Sequence, residues 1–171
     1  MIVVTAIGDT VTIAGWTCTP SPATGTSVTC TPNSALSDGT LTPSVTITDP
    51  AGNVSPAATP NLTIDTTAPL APSQPDMTAA TDTGISNTDN ITGNSTPNFT
   101  LSCETGATVT LWNGVTALAT GLCVGGTVTL VPSPALADGS YNITATQTDV
   151  AGNVSAVSTP VLVVIVDTVV P

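Results

Sequence analysis

The sequence predicts an all-β chain built of tandem seven-stranded β-sandwich domains, the first one incomplete at its N-terminus. Three observations predict it. Thr, Val, Ala and Ser dominate a chain in which only 6% of residues are charged. A block at residues 35–55 returns at residues 135–155. Apolar and polar residues alternate in short runs bounded by Gly, Pro, Asn and Asp, the signature of half-buried strands joined by turns.

Composition sets the first limits. A chain of 171 residues holds one large domain or two of about 100 residues each. A mean hydropathy of +0.39 argues against disorder from low hydrophobicity. The 15 Pro and 14 Gly supply turns, and a single glutamate, Glu104, argues against long helices. The chain has no Lys, Arg or His against 11 acidic residues, a formal charge of −11, where an average chain of this length would carry roughly 20 basic residues. No side chain here can neutralise a phosphate, so nucleic acid and anionic membrane surfaces are poor partners, and neither nucleic-acid binding nor membrane insertion is expected. The carboxylates have no side-chain counter-ion. Where they converge, an oxygen-preferring cation, Ca²⁺ above all, is the natural partner.

The repeat defines the domains. ALSDGTLTPSVTITDPAGNVS at 35–55 matches ALADGSYNITATQTDVAGNVS at 135–155 without gaps, an offset of 100 (135 − 35). GDTVTI at 8–13 matches GATVTL at 106–111. The closing TPNLTIDTTAP at 59–69 matches TPVLVVIVDTVVP at 159–171 with a two-residue insertion. A period of this length is a whole domain rather than a solenoid unit. The reading is a partial domain at 1–67, lacking the counterpart of residues 68–98, and a complete domain at 68–171. Either the chain begins inside a domain, or another chain supplies the missing strand. Residues 65–72, DTTAPLAP, form a short Pro-stiffened linker. Met1-Ile-Val-Val has no basic region before it and is too short for a signal peptide, so the chain reads as part of a longer secreted polypeptide. The apolar run Val161–Val166 is strand length, far short of the roughly 20 residues a membrane span needs.

In the second copy, strands are expected near 75–80, 97–103, 107–112, 116–121, 126–131, 140–149 and 158–166. Phe99, Leu101 and Cys103 share one face, as do Val109 with Leu111, and Tyr141 with Ile143 and Ala145. Seven short strands with turn signals between them are the immunoglobulin-like sandwich pattern. Tyr141, opening the sixth strand, stands where a tyrosine corner is expected; copy one has Leu41 there. The four cysteines fall into two local pairs, Cys18 with Cys30 and Cys103 with Cys123. Zinc ligation lacks its spacing and its histidines. Two disulfides in an oxidising compartment fit better, each closing a loop of roughly 15–20 residues and contributing about 3 kcal/mol; free buried thiols are the alternative.

Several tracts together resemble the bacterial Ig-like repeats of giant secreted surface adhesins and biofilm-associated matrix proteins. They are DMTAATDTGISNTDNIT at 76–92, GATVTLW at 106–112, ADG at 137–139, TDVAGNVS at 148–155 and the DTTAP linker at 65–69. The resemblance covers nearly the whole chain. It implies an extracellular rod of stacked sandwiches on the bacterial cell surface, with neighbouring Ig-like repeats of the same polypeptide as partners and Ca²⁺ at domain junctions. Two departures are the paired cysteines, which many such repeats lack, and an unusually apolar closing strand in copy two.

Sandwich topology then places the acidic residues. The loop between strands six and seven is expected at the N-terminal pole, bringing Asp149 and Asn153 near Asp65. The loop after the first strand, with Asp82, Asp89 and Asn90, and the loop before the sixth, with Asp138, are expected at the opposite pole near Asp167. These are the candidate Ca²⁺ ligands. Asp-Gly and Ala-Gly-Asn are also ordinary turn formers, which is the competing reading. Catalysis has almost no candidates: base and nucleophile chemistry lacks His and Lys, and Glu104 with its Asp neighbours could form a carboxylate pair but has no aromatic sugar platform to suggest a glycosidase. The chain reads as non-enzymatic.

The closing strand of copy two asks for assembly. Its outward positions Val161, Val163 and Ile165 replace the polar alternation Asn61-Leu-Thr-Ile of copy one. A strand apolar on both faces is usually covered on both. Two functions follow: a rod-forming spacer of an adhesin or biofilm matrix protein, or a subunit of a self-assembling extracellular filament, a homo-polymer built by domain packing or strand addition.

Overall fold

Short apolar alternations separated by Gly and Pro leave no run long enough for a helix, and none of the described residues is helical. The computed structural model describes residues 1–170. It divides into two compact units, Met1–Thr66 and Thr67–Pro171; residue 171, the end of the second expected domain, lies outside the described residues.

The first unit contains β1 (Ile2–Val4), β2 (Thr10–Ile13), β3 (Trp16–Thr19), β4 (Ser27–Pro32), β5 (Gly39–Leu41), β6 (Val45–Thr48) and β7 (Leu62–Ile64). They form three small antiparallel sheets, β1-β4-β3, β2-β6 and β5-β7. Val11, Ile13, Ala23, Val28, Cys30 and Val45 make its core. Pro43 breaks what is one long strand in the other unit, because it lacks an N–H for the ladder.

The second unit contains β8 (Asp76–Met77), β9 (Ile91–Thr92), β10 (Phe99–Ser102), β11 (Thr108–Asn113), β12 (Thr116–Leu122), β13 (Thr127–Leu130), β14 (Gly139–Thr148) and β15 (Leu162–Val166). Two sheets, β13-β10-β8 and β12-β11-β14-β15-β9, hold one core between them. Phe99, Leu101 and Leu130 of the first sheet meet Val109, Leu111, Ile143, Ala145 and Val164 of the second. This is the all-β, immunoglobulin-like sandwich the alternation predicts.

Two details differ from the expected strands. The strand expected at 75–80 is only Asp76–Met77, and an eighth strand, β9, pairs in parallel with β15 through Ile91↔Ile165 and Thr92↔Val166. Two residues carry no period, so alternation cannot reveal such a strand. The Tyr141 hydroxyl donates to the Ala137 carbonyl at 2.8 Å, the tyrosine-corner contact.

Candidate functional site

The TD-x-AGN loop shows how the acidic residues are used. Gly152 turns the chain at φ +95°, a left-handed conformation that glycine adopts without strain. Asp149 Oδ1 then accepts from the N–H groups of Ala151 (2.8 Å) and Asn153 (2.9 Å), while the Asn153 amide donates to Oδ2 (2.9 Å). Asp49 repeats this with Asn53, at 2.8 Å for each bond. The side-chain amide of Asn153 is the main cause holding the Asp149 carboxyl below the ordinary carboxylate range, and Asn53 does the same for Asp49. Asp149 and Asn153 therefore stand together in the second unit, bonded to each other; Asp65 follows β7 in the first.

A second group lies at the β9 end of the second unit. Asp82 is 3% exposed and its Oδ2 accepts the Asn90 N–H at 3.1 Å, while its Oδ1 is buried without a partner. Asn90 holds a left-handed backbone at φ 60°, and its carbonyl accepts from Ile165 at 2.9 Å. Asp89 Oδ1 accepts from Ile91 at 3.1 Å. The Asp167 N–H donates to Thr92 O at 3.0 Å, and its carboxylate accepts from Val169. Asp138 Oδ1 accepts both the N–H and the hydroxyl of Thr168, an arrangement that Asp38 and Thr66 repeat in the first unit. This run of bonds links Asp82, Asn90, Asp167 and Asp138 through one end of the sandwich. Among the described residues, no three acidic or thiol side chains gather closely enough to hold a metal ion by themselves. A cation here would need Asp82 together with amide or carbonyl oxygens.

Cys18–Cys30 joins residues directly opposite on β3 and β4, whereas Cys103–Cys123 ties the end of β10 to the segment after β12, one sheet to the other. Sequence reasoning missed Gln147. It is buried in line with Ile143 and Ala145, its amide donating to Leu70 O at 2.7 Å and accepting from Glu104 N at 2.8 Å. A polar residue on the inward row of an otherwise apolar strand was the available signal. The outer row of β15 is uncovered: Val161 is 47% exposed, Val163 53% and Ile165 40%, with Ile91 alongside at 44%. No helix among the described residues is long and apolar enough to cross a membrane.

A family model described as bacterial Ig-like domain matches residues 3–66 and again 68–168. No curated protein matches the chain. Among solved structures, one named "Biofilm associated protein - BSP domain" is similar at 19% identity with a TM-score of 0.40, covering 94% of this chain and 25% of its own. The chain thus spans a quarter of the length of that structure, and a likeness this loose carries no argument.

Proposed function

Because the chain belongs to the bacterial Ig-like domain family, we propose that it is a non-catalytic structural and adhesive repeat of a bacterial surface or biofilm-matrix protein, acting as a spacer in a rod. The observation that supports this most is the tandem duplication. The same sandwich motifs occur twice, each closing on an Asp-Thr linker, the first followed by Pro69 and Pro72. Such a unit extends a surface protein by repetition without needing a reactive site. Antibody against this chain should label intact cells that make the parent protein, and variants with added repeats should lengthen by a constant increment in electron micrographs. Purely intracellular labelling, or length independent of repeat number, would refute the reading.

Ca²⁺ is part of this proposal. The unpartnered, buried Oδ1 of Asp82 is the feature that fits it, in a chain with no basic side chain to offer instead. Asp82 would hold the ion, with Asp89 and Asn90 on the same loop. Excess Ca²⁺ should raise the melting temperature over EGTA, and Asp82→Asn should abolish the difference. Identical melting in both conditions retires the cation.

Filament assembly is a second reading, favoured by the exposed row of Val161, Val163 and Ile165. Val161→Asn with Val163→Thr should reduce association; unchanged solution mass and morphology would end that reading.

A further inference from the structure

The five-stranded sheet of the second unit ends on β12. Natural sheets shield such an edge with charge or proline, because its open N–H and C=O groups will pair with another chain. The strand β12, Thr116–Leu122, has 7 residues and neither device. No Asp or Glu lies anywhere in residues 105–137, although the chain carries 11 acidic residues and no basic ones. This edge is therefore a place where two such chains can meet with little repulsion.

Register fixes what the edge offers. On β14, Ala145 and Gln147 bond away from β11, to Ser158 and Ser155. Val109 and Leu111 consequently turn their peptide groups toward Gly121 and Ala119, and those of Thr120 and Leu122 face outward. No strand lies beyond them among the described residues. Alongside, Ala117–Thr120 with Val131 and Ser133 line a groove of about 360 Å³. Leu122 is 59% exposed and Val124 68%.

The first unit supplies an internal comparison. Ala23 and Cys123 hold equivalent places, since each exchanges backbone bonds with the residues before a matching strand: Gly8 and Asp9 for one, Gly106 and Ala107 for the other. Thr120 and Leu122 therefore correspond to Pro20 and Pro22. Prolines at those places remove the N–H groups that the second unit leaves open, and the strand before them, β3, pairs with β4 instead. The fold tolerates a blocked edge here, and the second unit leaves it unblocked.

We propose that β12 docks against β12 of a second copy of this chain, the two antiparallel about a two-fold axis at Gly121. Thr120 of one copy then faces Leu122 of the other, and each such pair exchanges both N–H···O bonds. The same register sets Val124 of each copy opposite Leu118 in the groove of the other. The contact joins repeats side by side and leaves the outer row of β15 free.

Sedimentation equilibrium of the full chain at rising concentration tests this. Mass should climb from 16.8 kDa toward twice that value. The midpoint is expected on the order of 100 µM, the range of a small main-chain contact, and at lower concentration in high salt, which screens the charge. Hydrogen exchange at Thr120 and Leu122 should slow about tenfold as the dimer fills. Thr120→Pro removes only an outward N–H, and Leu122→Asp adds an exposed charge. Each should keep the circular dichroism of the fold and weaken dimerisation about tenfold or more, whereas Val161→Asn with Val163→Thr should not. If Thr120→Pro fails to fold, Leu122→Asp alone decides. A monomer at about 1 mM, dimers indifferent to Leu122→Asp, or protection at Thr10–Ile13 or β15 in place of β12 would overturn the inference.

Discussion

Removing the Cys103–Cys123 bond should cost the second unit more than any single hydrogen bond does. The bond closes a loop of 20 residues in sequence separation. In the chain-entropy model such a crosslink removes about 11 cal/mol/K from the unfolded ensemble, or about 3.3 kcal/mol at 25 °C. A unit of about 100 residues unfolds with about 0.21 kcal/mol/K of entropy, so the loss translates into roughly 15 °C of melting temperature. The variant is Cys103→Ala with Cys123→Ala, leaving Cys18–Cys30 intact. Trp16 belongs to the first unit and Trp112 to the second, where its indole N–H donates to Thr146 Oγ1 at 2.9 Å. In a Trp16→Phe background, tryptophan fluorescence therefore follows the second unit alone. A fall below about 5 °C, equivalent to about 1 kcal/mol, would show that the unfolded chain does not gain the expected freedom, and the reasoning would fail.

Gln147→Leu keeps volume but removes the bonds to Leu70 O and Glu104 N; it should destabilise the second unit by about 1–3 kcal/mol and speed hydrogen exchange nearby. Ile47→Leu, at the matching position of the first unit, should cost less than about 1.5 kcal/mol by denaturant titration. Phe99→Ala empties the centre of the larger core and should cost about 3–5 kcal/mol in the same assay. Asp149 is held below its ordinary pKa, so its contribution is complete above about pH 3.9 and is lost as pH falls through the lower folded-state value. Asn153→Ala should accordingly lower the melting temperature at pH 7, with the gap to the unaltered chain closing below pH 4; a gap independent of pH would contradict the assignment.

Local chemistry by itself specifies much of the architecture. Period-two alternation announced β10, β11 and β14, because neighbouring side chains on a strand must point to opposite faces. The Asp-Gly and Ala-Gly-Asn turns, the tyrosine corner at Tyr141 and the recurrence of one domain in another are likewise written in short stretches of sequence. Tertiary structure alone decided who lies beside whom. The two-residue β9 exists because β15 offers it an edge, and Gln147 is buried because Leu70 and Glu104, from distant parts of the chain, close over it. The acidic residues divide the same way: Asp149 bonds within its own turn, whereas the carboxylate of buried Asp82 accepts from Asn90, eight positions along. Alternation fixes which way a side chain points, but its neighbour is chosen by the burial that long-range pairing achieves, and no local pattern encodes that choice.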